Sequence, residues 1–108
     1  MNISEEQYKI VFTNDAVKDM ENIFEYISNM LYSIKSAKKL MRKIDRKIEN
    51  LKIIPRAYKV IKKYPELELE YRRIVVNNYV ILYSLFEKEK KVYIMHLYYA
   101  KSNYFNKI

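Results

Sequence analysis

Three strand-like runs crowd the last forty residues: Arg72 to Val76, Tyr79 to Phe86 and Lys91 to Tyr99. Asn77 and Asn78 separate the first two, and Glu87 to Lys90 separate the last two. Links of two and four residues are hairpin lengths, so the runs are expected to form an antiparallel meander. The second and third runs are apolar at both alternating sets of positions, which suits central strands covered on both faces.

A meander of this kind needs a cover for its apolar face, and two amphipathic stripes upstream supply one. Val17, Met20, Ile23, Phe24, Ile27 and Leu31 recur at steps of three and four, which predicts a helix from Ala16 to about Tyr32. Ala37, Leu40, Met41, Ile44, Ile48 and Leu51 repeat the pattern, and Pro55 stops this second helix. A short connection at Ser33 to Ser36 makes the pair an antiparallel hairpin.

Ahead of them, Tyr8 to Phe12 reads as a first strand, closed by the turn and cap residues Thr13, Asn14 and Asp15. Arg56 to Glu70 lacks sustained periodicity and contains Pro65, so it is expected to be mostly loop, with at most a short edge strand at Tyr58 to Ile61. The resulting fold class is α+β in a single domain over residues 1–108: an N-terminal strand, an antiparallel helix hairpin, a three-stranded antiparallel meander packed on the helices, and a short C-terminal tail or helix.

Charge is distributed unevenly. Residues 35–63 carry twelve Lys and Arg against Asp45 and Glu49, a net +10, while residues 1–34 carry −4 and the remainder +2. Such a surface attracts phosphate-bearing or acidic partners through a salt-sensitive field, and a solvated lysine-rich helix face is the plainer alternative. There is no cysteine and one histidine, so neither a metal site nor a cofactor is expected. Ile74 to Phe86, interrupted by Asn77 and Asn78, is too short to span a bilayer, for which about 20 apolar residues are needed. Met1 to Glu6 lacks the basic start and apolar stretch of a secretory signal, and cytoplasmic residence without membrane contact is the expectation.

The residues at 71–83, Tyr-Arg-Arg-Ile-Val-Val-Asn-Asn-Tyr-Val-Ile-Leu-Tyr, resemble the central hairpin of the RelE/ParE toxin superfamily. Val92 to Leu97, followed by Tyr98, Tyr99, Ala100, Lys101, Ser102, Asn103 and Tyr104, is similar to the last strand and terminal segment of those toxins. Ile-Pro-Arg-Ala-Tyr at 54–58 resembles the loop after the second helix in the ParE-like branch, and Phe12 to Ile27 its first helix.

The resemblance implies the toxin half of a bacterial type II toxin-antitoxin pair, partnered by an acidic antitoxin. Two mechanisms come with it: inhibition of DNA gyrase by binding, or ribosome-dependent cleavage of mRNA. A non-toxic nucleic-acid or protein-binding module is the reading outside the family. For cleavage, the 2′-hydroxyl attack needs a base, cations over the phosphorane and a proton donor. The candidates are His96 as base, Arg73 and Lys101 as charge stabilisers, and Tyr99 or Tyr104 as donor or stacking platform. A packed, hydrogen-bonded role for His96 stands beside the catalytic one.

Val80 replaces a common arginine of the family, while Ala100 and Ser102 alter its terminal segment, and these departures favour binding. Arg42, Arg46, Lys62, Lys63, Arg72 and Tyr99 are the candidates for contacting a target or nucleic acid. Arg72 and Arg73 are neighbours on one strand and must point to opposite faces, so one of them is expected to make a structural salt bridge.

Overall fold

The computed structural model describes residues 7–30 and 33–102. The α+β expectation holds. The strands are β1 (Lys9–Phe12), β2 (Lys59–Tyr64), β3 (Leu69–Val76), β4 (Tyr79–Phe86) and β5 (Lys91–Tyr99), and the helices are α1 (Asn14–Glu25) and α2 (Ile34–Asn50). They form one five-stranded sheet, ordered β1-β5-β4-β3-β2, with the helices on a single face. β3, β4 and β5 make the antiparallel meander, whereas β1 lies parallel to β5 and pairs Phe12 with Ile94.

Thr13 begins α1 as its N-cap, its hydroxyl oxygen accepting from the Ala16 amide at 3.1 Å. The helix ends at Glu25, earlier than its apolar stripe suggests, and continues as a wider π turn over Tyr26–Met30. Leu31 and Tyr32 lie outside the described residues. Ser33 caps α2 through the Ser36 amide, so α2 starts inside the stretch expected to be a connection. Its buried residues Ala37, Leu40, Ile44 and Ile48 form one stripe, and they meet Ile74, Ile81, Tyr83, Val92 and Ile94 from the sheet. Among the described residues no helix is long and apolar enough to cross a membrane.

The region read as mostly loop is where the structure departs from expectation. β2 is a full six-residue edge strand, and β3 begins three residues earlier than Arg72. A β-bulge between Val60 and Lys62 breaks the alternation by which a strand is recognised. Pro65 then opens a 3-10 turn, and Glu68 reverses the chain at φ 51°. The sequence has no glycine, so the left-handed positions of its turns fall to Glu68, Asn77 and Lys90.

Three hydrogen bonds stitch the segment after α2 to the helix side of the sheet. Arg72 donates from Nη1 to the carbonyls of Arg56 at 3.0 Å and Tyr58 at 2.7 Å, and the Tyr83 hydroxyl donates to the Pro55 carbonyl at 2.6 Å. Arg72 and Tyr83 are cross-strand partners, so one row of the sheet holds the corner that delivers the chain to β2.

Burial pushes the Tyr83 hydroxyl above its ordinary value of 10.0. A raised folded-state value means that its stabilising effect is complete below about pH 10 and is lost as pH rises further. Tyr83→Phe should therefore lower stability at neutral pH by about 1–3 kcal/mol, because the Pro55 carbonyl loses its donor. It should also make the alkaline loss shallower. Denaturant unfolding at pH 7 and above pH 10 measures both, and unchanged stability at pH 7 would rule out this anchor.

Candidate target-binding surface

Residues that alternate with the helix-facing set lie on the outer face of the sheet, which no described helix covers. Register fixes its rows. Leu82 lies between Arg73 and His96, Val80 between Val75 and Tyr98, and Ser84 between Tyr71 and Tyr93. Val80, Leu82 and Ser84 are buried even on this face, and they form a floor flanked by longer side chains.

A second bulge shapes this surface. β5 slips register between the partners of Leu82 and Tyr83, leaving Met95 as the extra residue. Strict alternation would place Tyr93 opposite to His96 and Tyr98, but the slip brings all three to the outer face. Aromatic contacts tie the rows together: the rings of Tyr64 and Tyr71 meet edge-on at 5.9 Å, and those of Phe86 and Tyr93 at 5.1 Å. Lys62 places its ammonium 5.2 Å from the Tyr64 ring centre, and its hydrogen bond to Tyr64 raises its pKa. Lys59 pairs with Arg73 and Lys62 with Tyr71, so cations and tyrosines alternate across β2 and β3.

His96 is held from the side. Its Nδ1 lies 3.3 Å from Asp19 Oδ2, the same oxygen that accepts the Leu97 amide at 3.0 Å, and the imidazole side chain is 12% exposed. β1 ends opposite Ile94, so the outer edge of β5 beyond that point lacks a strand partner. Thr13 and Asp19, one turn and a half apart at the start of α1, take up its polar groups. Burial raises the pKa of the Tyr98 hydroxyl, and the nearby Arg73 guanidinium partly offsets that rise.

The candidate residues therefore separate. Arg73, His96 and Lys62 share the outer face. Arg72 was expected to contact a target, but it lies on the helix side at 8% exposure, bound to Glu70 at 2.7 Å and to two carbonyls. It is the structural member of the arginine pair. Tyr99 also faces the helix side, its ring 5.7 Å from that of Tyr79, so it does not converge with His96. Lys63 points away from Lys62 toward a 580 Å³ cavity shared with Leu67, Glu70 and Leu85. Arg42 and Arg46 are exposed on α2, in the opposite layer. Lys101 is exposed in the turn after β5, which is fixed by the Ala100 amide donating to the Asn78 carbonyl at 2.7 Å. Tyr104 lies outside the described residues. Among the described residues no group of three His, Asp or Glu gathers as a metal site would require.

Sequence reasoning missed Lys59, Tyr64, Tyr71, Tyr93, Tyr98 and Asp19. Alternation along β3 already places Tyr71 beside Arg73, but no local signal gives the Met95 bulge or the Asp19 contact, which joins residues far apart in the chain.

The model of the family described as the ParE toxin of the type II toxin-antitoxin system, parDE, matches residues 10–104. The chain belongs to the ParE toxin family. Its fold agrees with solved structures of low identity. A chain of the chromosomal ParDE toxin-antitoxin system from P. aeruginosa superposes with a TM-score of 0.68 at 13% identity, covering 87% of this chain and 97% of that one. The archaeal RelE-RelB complex from Pyrococcus horikoshii OT3 gives 0.56 at 21%, covering 89% and 98%. The RelBE2 complex from Mycobacterium tuberculosis gives 0.56 at 17%, covering 86% and 91%. No curated protein sequence matches. This ParE-family toxin shares the fold of those chains over most of its length.

Removing Arg73 takes away the cation that offsets the effect of burial on Tyr98. Arg73→Ala should shift Tyr98 ionisation to still higher pH, read as tyrosinate absorbance against the same variant carrying Tyr98→Phe. An unshifted titration would separate the two side chains.

Proposed function

We propose that this ParE-family toxin arrests growth by binding DNA gyrase through the outer face of its sheet, and that an acidic antitoxin neutralises it. The observation that carries the reading is the outer face itself, where Arg73, Lys59 and Lys62 stand among Tyr64, Tyr71 and Tyr98 on rigid strands. Arginine and tyrosine are the residue types that dominate binding energy at protein interfaces. Binding needs such an area. Acid-base cleavage instead needs reacting groups within hydrogen-bond reach of one substrate atom, and the separation of Tyr99 from His96 speaks against that. The net charge of +8 suits an acidic, otherwise disordered antitoxin segment.

One arrangement favours the second reading, a ribosome-dependent mRNA endonuclease. Asp19 bonds to His96, and Arg73 lies across Leu82 from it, which resembles an oriented base beside a charge stabiliser.

A supercoiling assay run beside a translation-coupled RNA cleavage assay separates the two. Purified toxin should inhibit gyrase and leave mRNA intact. Arg73→Ala should weaken gyrase inhibition about tenfold, the cost of truncating an interface arginine worth roughly 1–2 kcal/mol. His96→Gln, which alters a largely buried side chain of the same face, should weaken it less than Arg73→Ala does. Cleavage of mRNA that disappears in folded His96→Gln would replace the binding reading with the catalytic one.

A further inference from the structure

We propose that the outer crest of α2 is a second binding surface, one that holds the phosphate backbone of duplex DNA. This goes beyond the target of the sheet and does not depend on it. The buried residues Ala37, Leu40, Ile44 and Ile48 define the inward direction of the helix. At 100° per residue, Lys35, Lys39, Arg42 and Arg46 fall within about 40° of the opposite pole, in one line along the crest. All four are exposed, and among the described residues none is in an ion pair, because the only ion pair of this helix joins Glu49 to Lys52. Asp45 and Glu49 border one flank of the crest, beside Arg42 and Arg46.

The spacing has an energetic consequence. Like charges three and four residues apart disfavour a helix by roughly 0.2–0.5 kcal/mol per pair, and this crest stacks three such pairs in succession. Asp45 and Glu49, three residues after Arg42 and Arg46, offset part of that repulsion, and a polyanion laid along the crest would relieve the rest. From Lys35 to Arg46 the row is about 16 Å long at 1.5 Å per residue. A duplex of that length presents about ten phosphate charges, one per roughly 1.7 Å of axis.

An acidic peptide is the other polyanion to consider, and the crest suits it less. A docked peptide helix or strand takes its affinity from apolar anchors, and the four crest positions supply none. The guanidinium groups of Arg42 and Arg46 instead offer the planar donor forks that fit phosphate oxygens. The two-layer fold sets this crest on the far side of the molecule from Arg73 and Lys62. Protein target and DNA can then be held at the same time.

The test uses the full chain and a fluorescently labelled duplex of about 20 base pairs, followed by anisotropy. Four phosphate contacts should make affinity fall by about 100-fold between roughly 50 and 200 mM salt. The triple variant Lys39→Gln, Arg42→Gln, Arg46→Gln, checked for helicity by circular dichroism, should bind weakly with a much shallower salt dependence. Lys9→Gln, Lys18→Gln, Lys88→Gln removes the same charge elsewhere and should bind almost as the parent does. Absence of binding at low salt, equal losses in the two triples, or displacement of the duplex by poly-glutamate at equal charge would each overturn the proposal.

Discussion

Two helices can cover only one face of a five-stranded sheet, and that constraint organises this molecule. The stripe Ala37, Leu40, Ile44 and Ile48 is seated on Ile74, Ile81, Tyr83 and Ile94, and the helix side becomes a closed core. Removing this apolar surface from water stabilises the fold, at about 25 cal/mol per Å². The outer face must then be tolerable in water while its central strands stay apolar. It meets that condition with a buried floor of Val80, Leu82 and Ser84, flanked by tyrosines and long cations that bury their stems and expose polar ends. A surface built this way for solubility is also a surface suited to binding.

Much of this was legible before the structure. Helical periodicity gave both stripes and their common direction, and hairpin-length links gave the meander. Alternation alone required Arg72 and Arg73 to part, and hydrogen bonds to the Arg56 and Tyr58 carbonyls show which of them turned inward. Only the start of β2 was legible, as a short edge strand at Tyr58 to Ile61, because its bulge at Ile61 destroys the period-two signal and Pro65 and Glu68 sit where a strand pair turns. The parallel seat of β1 on β5 was not legible either, since strand order in a sheet is a long-range property.

The site shows the same division. Arg73 follows from local alternation, whereas Lys62 reaches the outer face through the bulge at Ile61 and Tyr93 through the slip at Met95. Asp19 was invisible for a different reason: its role is to satisfy the edge of β5 where β1 has ended, and that need exists only once the sheet is assembled. His96 is thereby drawn into a contact that orders the edge, and Tyr99 is turned to the other layer. These placements spread cations and tyrosines over the outer face and separate Tyr99 from His96.

Inhibition by occupancy and inhibition by turnover differ most directly in stoichiometry. With gyrase fixed well above the dissociation constant and toxin added in increments, residual supercoiling activity should fall linearly and reach its floor at a fixed molar ratio of toxin to gyrase near equivalence. Complete, time-dependent loss of activity at a small fraction of that ratio would mean that the toxin turns over, and it would contradict the account.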